Sequence, residues 1–78
     1  MPTIDCFNGI KIHIYNGEHR PPHVHANYNE FEVLIEIERL IIYSGDLPNR
    51  QLKQVFDWLA GNGDWALEVF YELNPELK

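Results

Sequence analysis

The hydrophobic pattern of this 78-residue chain changes its period once, and that change constrains the fold more than any other feature. Apolar and polar residues alternate through residues 10–15, 23–28 and 31–38, a two-residue period that is typical of half-buried β-strands. A fourth run, at residues 40–43, is more continuously apolar. From Leu47 onward, apolar residues recur at helical spacing instead. The pattern predicts strands first and helices afterwards, which is typical of an α+β domain.

Two helices are predicted in the second half of the chain. The first has Pro48 in its first turn and continues to Ala60. The Gly-Asn-Gly run at residues 61–63 is predicted to end it, because glycine is unfavourable in a helix interior. Asp64 is a suitable N-cap for a second helix, which Asn74-Pro75 would end.

The strands are expected to pair in chain order. Residues 1–7 are assigned to an N-terminal arm, and turns or loops separate the four strands that follow. Strands joined by such short connections pair antiparallel. The expected architecture is a single domain over residues 1–78, a four-stranded antiparallel β-meander with two C-terminal helices packed on one face.

The connections between the strands also predict which residues share a sheet face. A loop at residues 16–22 puts His13 opposite His25, and a tight two-residue turn before the third strand puts His23 opposite Glu36. One face is then apolar and faces the helices, and a slip of one residue would reverse the two faces. The other face carries His13, His23, His25, Glu32 and Glu36.

Composition and charge limit the kind of partner. A single cysteine, Cys6, excludes an internal disulfide, and no apolar run is long enough for a signal peptide or a membrane span. We therefore expect a cytoplasmic protein.

The net charge of −6 comes from residues 30–78, and no basic stripe is present, so direct nucleic-acid binding is not expected. An acidic body with a neutral, histidine-rich half suits a cation or a basic protein partner.

The segment Glu-His-Arg-Pro-Pro-His-Val-His-Ala at residues 18–26 concentrates the side-chain chemistry, and it has three interpretations. The first is a metal site for zinc or iron on His19, His23 and His25, because His-x-His on a strand aims both rings to one side. The second is an acid–base site in which Glu36 orients a histidine and Arg20 steadies a phosphate, as metal-independent RNA cleavage requires. The acidic surface counts against that substrate.

The third interpretation, which the sequence favours, is structural. His19 and His23 would hydrogen-bond loop carbonyl groups and hold the turn at Pro21 and Pro22 rigid. The rest of the face would then contact solvent, a partner or a second copy of the chain. On this interpretation the protein needs no cofactor. We therefore expect a protein without a cofactor rather than one that binds zinc or iron.

Several short segments occur in an order that one protein family shares. They are Met1-Pro2-Thr3-Ile4, Phe7, Gly9-Ile10-Lys11-Ile12, His19-Arg20-Pro21-Pro22-His23-Val24-His25, Gly45 and Leu47-Pro48. In these segments the chain resembles the small bacterial domain-of-unknown-function 4160 family over residues 1 to about 60. Genes of that family often lie beside genes of the domain-of-unknown-function 2442 family, an arrangement similar to toxin–antitoxin pairs. The resemblance implies a small protein partner and, by analogy, a toxin-like role.

The resemblance weakens in the second half of the chain. After the tryptophan matched by Trp58, the family usually has a histidine and then a Glu-Leu pair, whereas here Asn62 and Trp65 occupy those places. If that histidine and glutamate complete an active site in relatives, this chain has kept the fold without the activity. The leading hypothesis is an interaction module of a toxin–antitoxin-like pair. The alternative is a hydrolase, such as a ribonuclease, built on the three motif histidines with or without a metal.

Overall fold

In the computed structural model, which describes residues 3–78, an antiparallel sheet precedes one long helix. The five strands are hydrogen-bonded in chain order. They are β1 (Thr3–Phe7), β2 (Ile10–His13), β3 (His23–Tyr28), β4 (Phe31–Glu36) and β5 (Ile42–Asp46). Helix α1 spans Asn49–Leu73, and a short 3₁₀ turn, Pro75–Leu77, follows it. The α+β class and the antiparallel meander are confirmed, whereas the predicted numbers of four strands and two helices are wrong.

The additional strand comes from the segment that was predicted to be an N-terminal arm. Its first residues, Met1 and Pro2, lie outside the described part of the chain, but Thr3–Phe7 pairs with β2. Asn8 and Gly9 both have positive φ angles, 52° and 79°, as the tightest two-residue hairpins require. The Asn-Gly turn therefore folds the arm back onto the sheet as an edge strand.

Helix α1 continues through the glycines that were predicted to end it. Its buried residues are Val55, Leu59, Ala66 and Phe70, and Leu59 and Ala66 lie one heptad apart on either side of the Gly-Asn-Gly run. The apolar stripe thus keeps one helical phase across the run, and packing the whole stripe on the sheet favours a continuous helix. Asp64 lies inside α1 and caps no second helix. The predicted end of the helical region at Asn74-Pro75 is confirmed.

The predicted register is confirmed in the middle of the sheet. His13 lies opposite His25, and His23 lies opposite Glu36. The fourth predicted strand, residues 40–43, is displaced along the chain, because residues 36–41 form a tight turn and β5 continues to Asp46. A bulge at Tyr43 shifts the pairing of β5, and Gly45 has a φ of 79°. A Cβ atom at Gly45 would overlap the Glu32 carbonyl oxygen, so glycine is required there.

The core lies between α1 and one face of the sheet, as the alternating pattern predicts. The strands and the residues directly after β2 and β4 contribute Ile10, Ile12, Ile14, Val24, Ala26, Val33, Ile35 and Ile37, joined by Leu47 from the connection to the helix. Within residues 3–78 the one long helix, α1, packs on this face, and the opposite sheet face carries His13, His23 and His25. Nowhere in residues 3–78 is there a helix of the length and apolar character needed to cross a membrane.

Candidate functional site

The loop between β2 and β3 is tied to the C-terminal end of α1. Asn74 is fully buried, and its Oδ1 accepts a hydrogen bond from the Glu18 N–H at 2.9 Å. Its Nδ2 donates to the carbonyl oxygens of Tyr15, at 2.9 Å, and Phe70, at 3.0 Å. The backbone of Glu18 is therefore held in place from the far end of the helix.

Two predicted site residues, His19 and Arg20, lie at the outer side of this loop. Arg20 Nη2 donates to the Leu77 carbonyl oxygen at 2.6 Å, which ties the guanidinium group to the C-terminal turn. His19 Nδ1 lies 2.9 Å from the Arg20 carbonyl oxygen. The His19 ring packs against the rings of His23, at 5.4 Å, and Tyr43, at 5.8 Å between centroids. The His19 ring is therefore next to His23, but its nitrogen atoms are not among the potential metal-ligand atoms that the structure brings together at Glu18, His23 and His25.

His23 is the most buried of the four histidines, at 1% exposed. Its Nδ1 donates to the Pro21 carbonyl oxygen at 2.8 Å, a contact that only a protonated nitrogen can make. The predicted hydrogen bonds from His19 and His23 to loop carbonyl groups are thus present. The other ring nitrogen, Nε2, has no hydrogen-bond partner within residues 3–78 and lies 3.4 Å from Glu18 Oε2.

His25 lies between two carboxylates. Its Nε2 is 2.5 Å from Glu18 Oε2, and its Nδ1 is 3.3 Å from Glu32 Oε2. The Tyr15 ring lies nearly perpendicular to the imidazole, with the centroids 4.7 Å apart. The structure thus brings Glu18, His23 and His25 together, with one donor atom from each within 4.8 Å of the others. We call these three residues the Glu-His-His cluster.

Glu18 is the member of the cluster that the sequence did not single out. It stands next to the histidine motif, which is the only sequence signal for it. It lies in a loop, where no hydrophobic period assigns a direction to a side chain. Its position follows instead from the contact between its backbone and Asn74, a residue 56 positions further along the chain.

His13 and Tyr15 border the cluster on the β2 side, and both have displaced pKa values. Burial lowers the pKa of His13, nearby His25 and Lys11 lower it further, and Glu32 acts in the opposite direction. The pKa of Tyr15 is raised, first by burial and then by the negative charges of Glu32 and Glu18. The surroundings of the cluster therefore favour neutral forms of both side chains.

Glu36, the carboxylate that was predicted to orient a histidine, has a different partner. Its two oxygens accept hydrogen bonds from Arg39 Nε, at 2.8 Å, and from Arg39 Nη2, at 2.9 Å. These bonds are the main reason why the pKa of Glu36 is lowered, while the nearby His23 ring contributes less. Glu36 lies opposite His23 in the sheet, but its carboxylate is committed to Arg39.

A second surface feature lies at the β5 edge of the sheet. Four consecutive apolar residues, Leu40–Tyr43, are between 38% and 45% exposed, and we call them the apolar strip. Next to Leu40 is an open groove of about 430 Å³ between the β4–β5 turn and the middle of α1. Trp65 lines this groove and is 44% exposed. Tyr43 also packs on the His23 ring, at 5.7 Å between centroids, so the strip adjoins the Glu-His-His cluster.

The comparison with protein families identifies the chain. The family described as Domain of unknown function (DUF4160) matches residues 9–70, which include the histidine motif, four of the strands and most of α1. No curated protein and no solved structure shows a significant match to the chain. The resemblance to this family is confirmed, and the chain belongs to the domain-of-unknown-function 4160 family.

Proposed function

We propose that this protein is a protein-interaction module, one member of a two-protein pair of the toxin–antitoxin type. The observation that carries this proposal is the apolar strip, Leu40–Tyr43, because small domains seldom leave several adjacent large apolar side chains open to water. Covering the strip with a partner would remove that apolar surface from water and stabilise the complex.

The backbone beneath the strip is fixed, so its exposure belongs to the folded state. The Glu36 N–H donates to the Ile41 carbonyl oxygen at 2.9 Å, and the Leu40 N–H donates to the Glu36 carbonyl oxygen at 3.0 Å. Leu40 has a φ of 55°, a conformation that is uncommon for a non-glycine residue. Two hydrogen bonds therefore hold a turn that points apolar side chains outward.

The charge of the chain favours a basic partner. Glu38 and Asp64 line the groove beside the strip, and the chain as a whole carries a net charge of −6. Opposite charge on a partner speeds association and suppresses wrong pairings. A small partner with apolar side chains flanked by lysine or arginine fits this surface, and a protein of the domain-of-unknown-function 2442 family is the first candidate. A second copy of this chain is the rival occupant.

The proposal is tested by co-expressing the untagged protein with the product of its neighbouring gene and measuring the mass of the complex in solution. The Ile42→Glu variant places a charge in the strip and should abolish the complex. Phe31→Glu is the matched control, because Phe31 is 40% exposed but lies at the other end of β4. A complex that survives Ile42→Glu would refute the proposed surface. A protein that dimerises alone, and that Ile42→Glu makes monomeric, would assign the strip to a homodimer instead.

The Glu-His-His cluster favours a second candidate function, a hydrolase that acts through the cluster. The supporting observation is the His25 ring, whose Nδ1 faces the Glu32 carboxylate while its Nε2 faces Glu18. A carboxylate behind an imidazole orients the ring and stabilises its charged form during proton transfer. The surrounding acids, Glu18, Glu32 and Glu36, do not suit a polyanionic substrate such as RNA unless a cation is bound.

Turnover of a fluorescent RNA oligonucleotide, with and without added zinc, tests this second function. His25→Ala should remove the activity while thermal unfolding stays close to that of the unmodified protein, because His25 packs outside the apolar core. An identical rate in the variant would eliminate catalysis by the cluster.

A further inference from the structure

We infer that Glu18, His23 and His25 bind one divalent transition-metal ion of the zinc or iron(II) class. This inference rests on neither proposed function, since a bound ion can support a fold, an interface or a reaction. The ligand set also differs from the one that the motif suggested, because Glu18 takes the place of His19. Four observations on the geometry carry the inference.

The first observation is the free nitrogen of His23. Its Nδ1 donates to the Pro21 carbonyl oxygen at 2.8 Å, so a neutral His23 ring carries its electron pair on Nε2. That electron pair is buried and has no hydrogen-bond partner in residues 3–78, and Glu18 Oε2, which is also an acceptor, lies 3.4 Å from it. A buried electron pair beside a carboxylate is unfavourable without a cation between the two.

The second observation is that each histidine is oriented by a contact on its far side. The His23 ring is fixed by a backbone carbonyl oxygen, and His25 Nδ1 faces the Glu32 carboxylate at 3.3 Å. Histidines that ligate metals almost always donate their other ring N–H to a carboxylate or a carbonyl group in this way. Both Nε2 atoms are thereby directed toward Glu18.

The third observation is the spacing of the donor atoms. Zinc binds nitrogen at about 2.0–2.1 Å, so tetrahedral ligands lie roughly 3.4 Å from one another. The distance between Glu18 Oε2 and His23 Nε2 is 3.4 Å, and all three donor atoms lie within 4.8 Å of one another. Glu18 Oε2 and His25 Nε2 are 2.5 Å apart, so the Glu18 carboxylate, which is 15% exposed, must turn away from His25 to admit an ion.

The fourth observation concerns the kind of ion and its access. Two imidazole nitrogens and one carboxylate are a donor set for zinc or iron(II), whereas calcium and magnesium prefer oxygen ligands. The side chains of His25 and Glu18 are 14% and 15% exposed, so an ion can enter from one side. Three protein ligands leave a coordination position for water or for a ligand atom.

The inference is tested by titrating untagged, chelator-treated protein with zinc in a calorimeter and with cobalt(II) in a spectrophotometer. We expect one ion per chain, and zinc should raise the melting temperature of the protein. Glu18→Gln should weaken zinc binding by at least about tenfold, as should His25→Gln, because each removes a ligand. His19→Gln is the matched control and should bind zinc as the unmodified protein does, since His19 lies outside the donor set.

Each contrary outcome overturns the inference. Absence of saturable zinc or cobalt binding would mean that hydrogen bonds between the three side chains, and not a metal ion, hold the cluster together. Unchanged affinity in both Glu18→Gln and His25→Gln would place any bound ion elsewhere. An equal loss in His19→Gln would assign the ion to the three motif histidines. The two ligand variants test the inference independently of His23, whose replacement can disturb the fold because that ring is buried.

Discussion

Asn74 shows how much one side chain can organise in so small a protein. Its amide group contacts the backbone of Tyr15, Glu18 and Phe70, and it is fully buried. In the sequence, Asn74 is followed by Pro75 and predicts only the end of a helix. The hydrogen bonds to the β2–β3 loop cross 56 and 59 residues of chain, and no local pattern can predict them.

Asn74→Ala should therefore reduce the free energy of unfolding by about 2–4 kcal/mol, because it leaves the partly buried Glu18 N–H and Tyr15 carbonyl group without their partner. Urea unfolding measures the loss. Asn62→Ala is the control, since Asn62 is only partly buried and its Nδ2 donates to a single carbonyl oxygen, that of Trp58. A loss in Asn74→Ala no larger than that in Asn62→Ala would contradict the organising role of Asn74.

The sequence predicts the sheet face of the strand histidines but does not predict the position of Glu18. The two-residue period of β2 and β3 assigned His13, His23 and His25 to one face, because a slip by one residue would have exposed the isoleucines. That face was expected to contact solvent or a partner, and in the structure His13 and His23 are already buried within the chain. Glu18 could not be placed, because the direction of a loop side chain depends on the tertiary contacts of the loop.

Among the secondary-structure elements, α1 shows why a local rule can give the wrong result. Two interior glycines cost about 1 kcal/mol each relative to alanine. Burying the side chains of Val55, Leu59 and Phe70 is worth about 1.5–3 kcal/mol each. The apolar stripe therefore outweighs the glycines, provided that it keeps its phase across residues 61–63, as it does. The Asn8-Gly9 pair forms the β1–β2 turn, but the strand before it was predicted only as an arm, so the local turn signal did not predict the hairpin.

Gly61→Ala should stabilise the protein by about 0.5–1 kcal/mol, because Gly61 lies within a continuous helix and a Cβ atom there would meet no other atom within 4 Å. Gly17→Ala has equally open space but should destabilise, since Gly17 has a φ of 74°. Thermal unfolding of both variants distinguishes them. Destabilisation by Gly61→Ala would indicate that the glycines do interrupt the helix, as the sequence alone suggested.

The stability of the whole molecule should depend on pH through His13. This ring is 6% exposed, and its pKa lies below the ordinary value of 6.5 because burial disfavours the charged form. As the pH falls through 6.5, the unfolded chain takes up a proton at His13 that the folded chain does not yet accept. The free energy of unfolding should therefore decrease below pH 6.5, until the pH has passed the lower pKa of the folded state. Well above pH 6.5, where His13 is neutral in both the folded and the unfolded chain, it should contribute no pH dependence.

His13→Asn isolates this contribution, because it removes the titrating group and keeps a polar side chain that can reach Thr3, the present partner of His13 Nδ1. The quantity to compare is the slope of the free energy of unfolding against pH, measured with urea between about pH 8 and about pH 5. This range lies above the window in which Glu36 acts, since its lowered pKa makes its contribution disappear only below pH 4.5. The slope of the variant should be shallower than that of the unmodified protein. Equal slopes would show that the protonation of His13 is not coupled to folding.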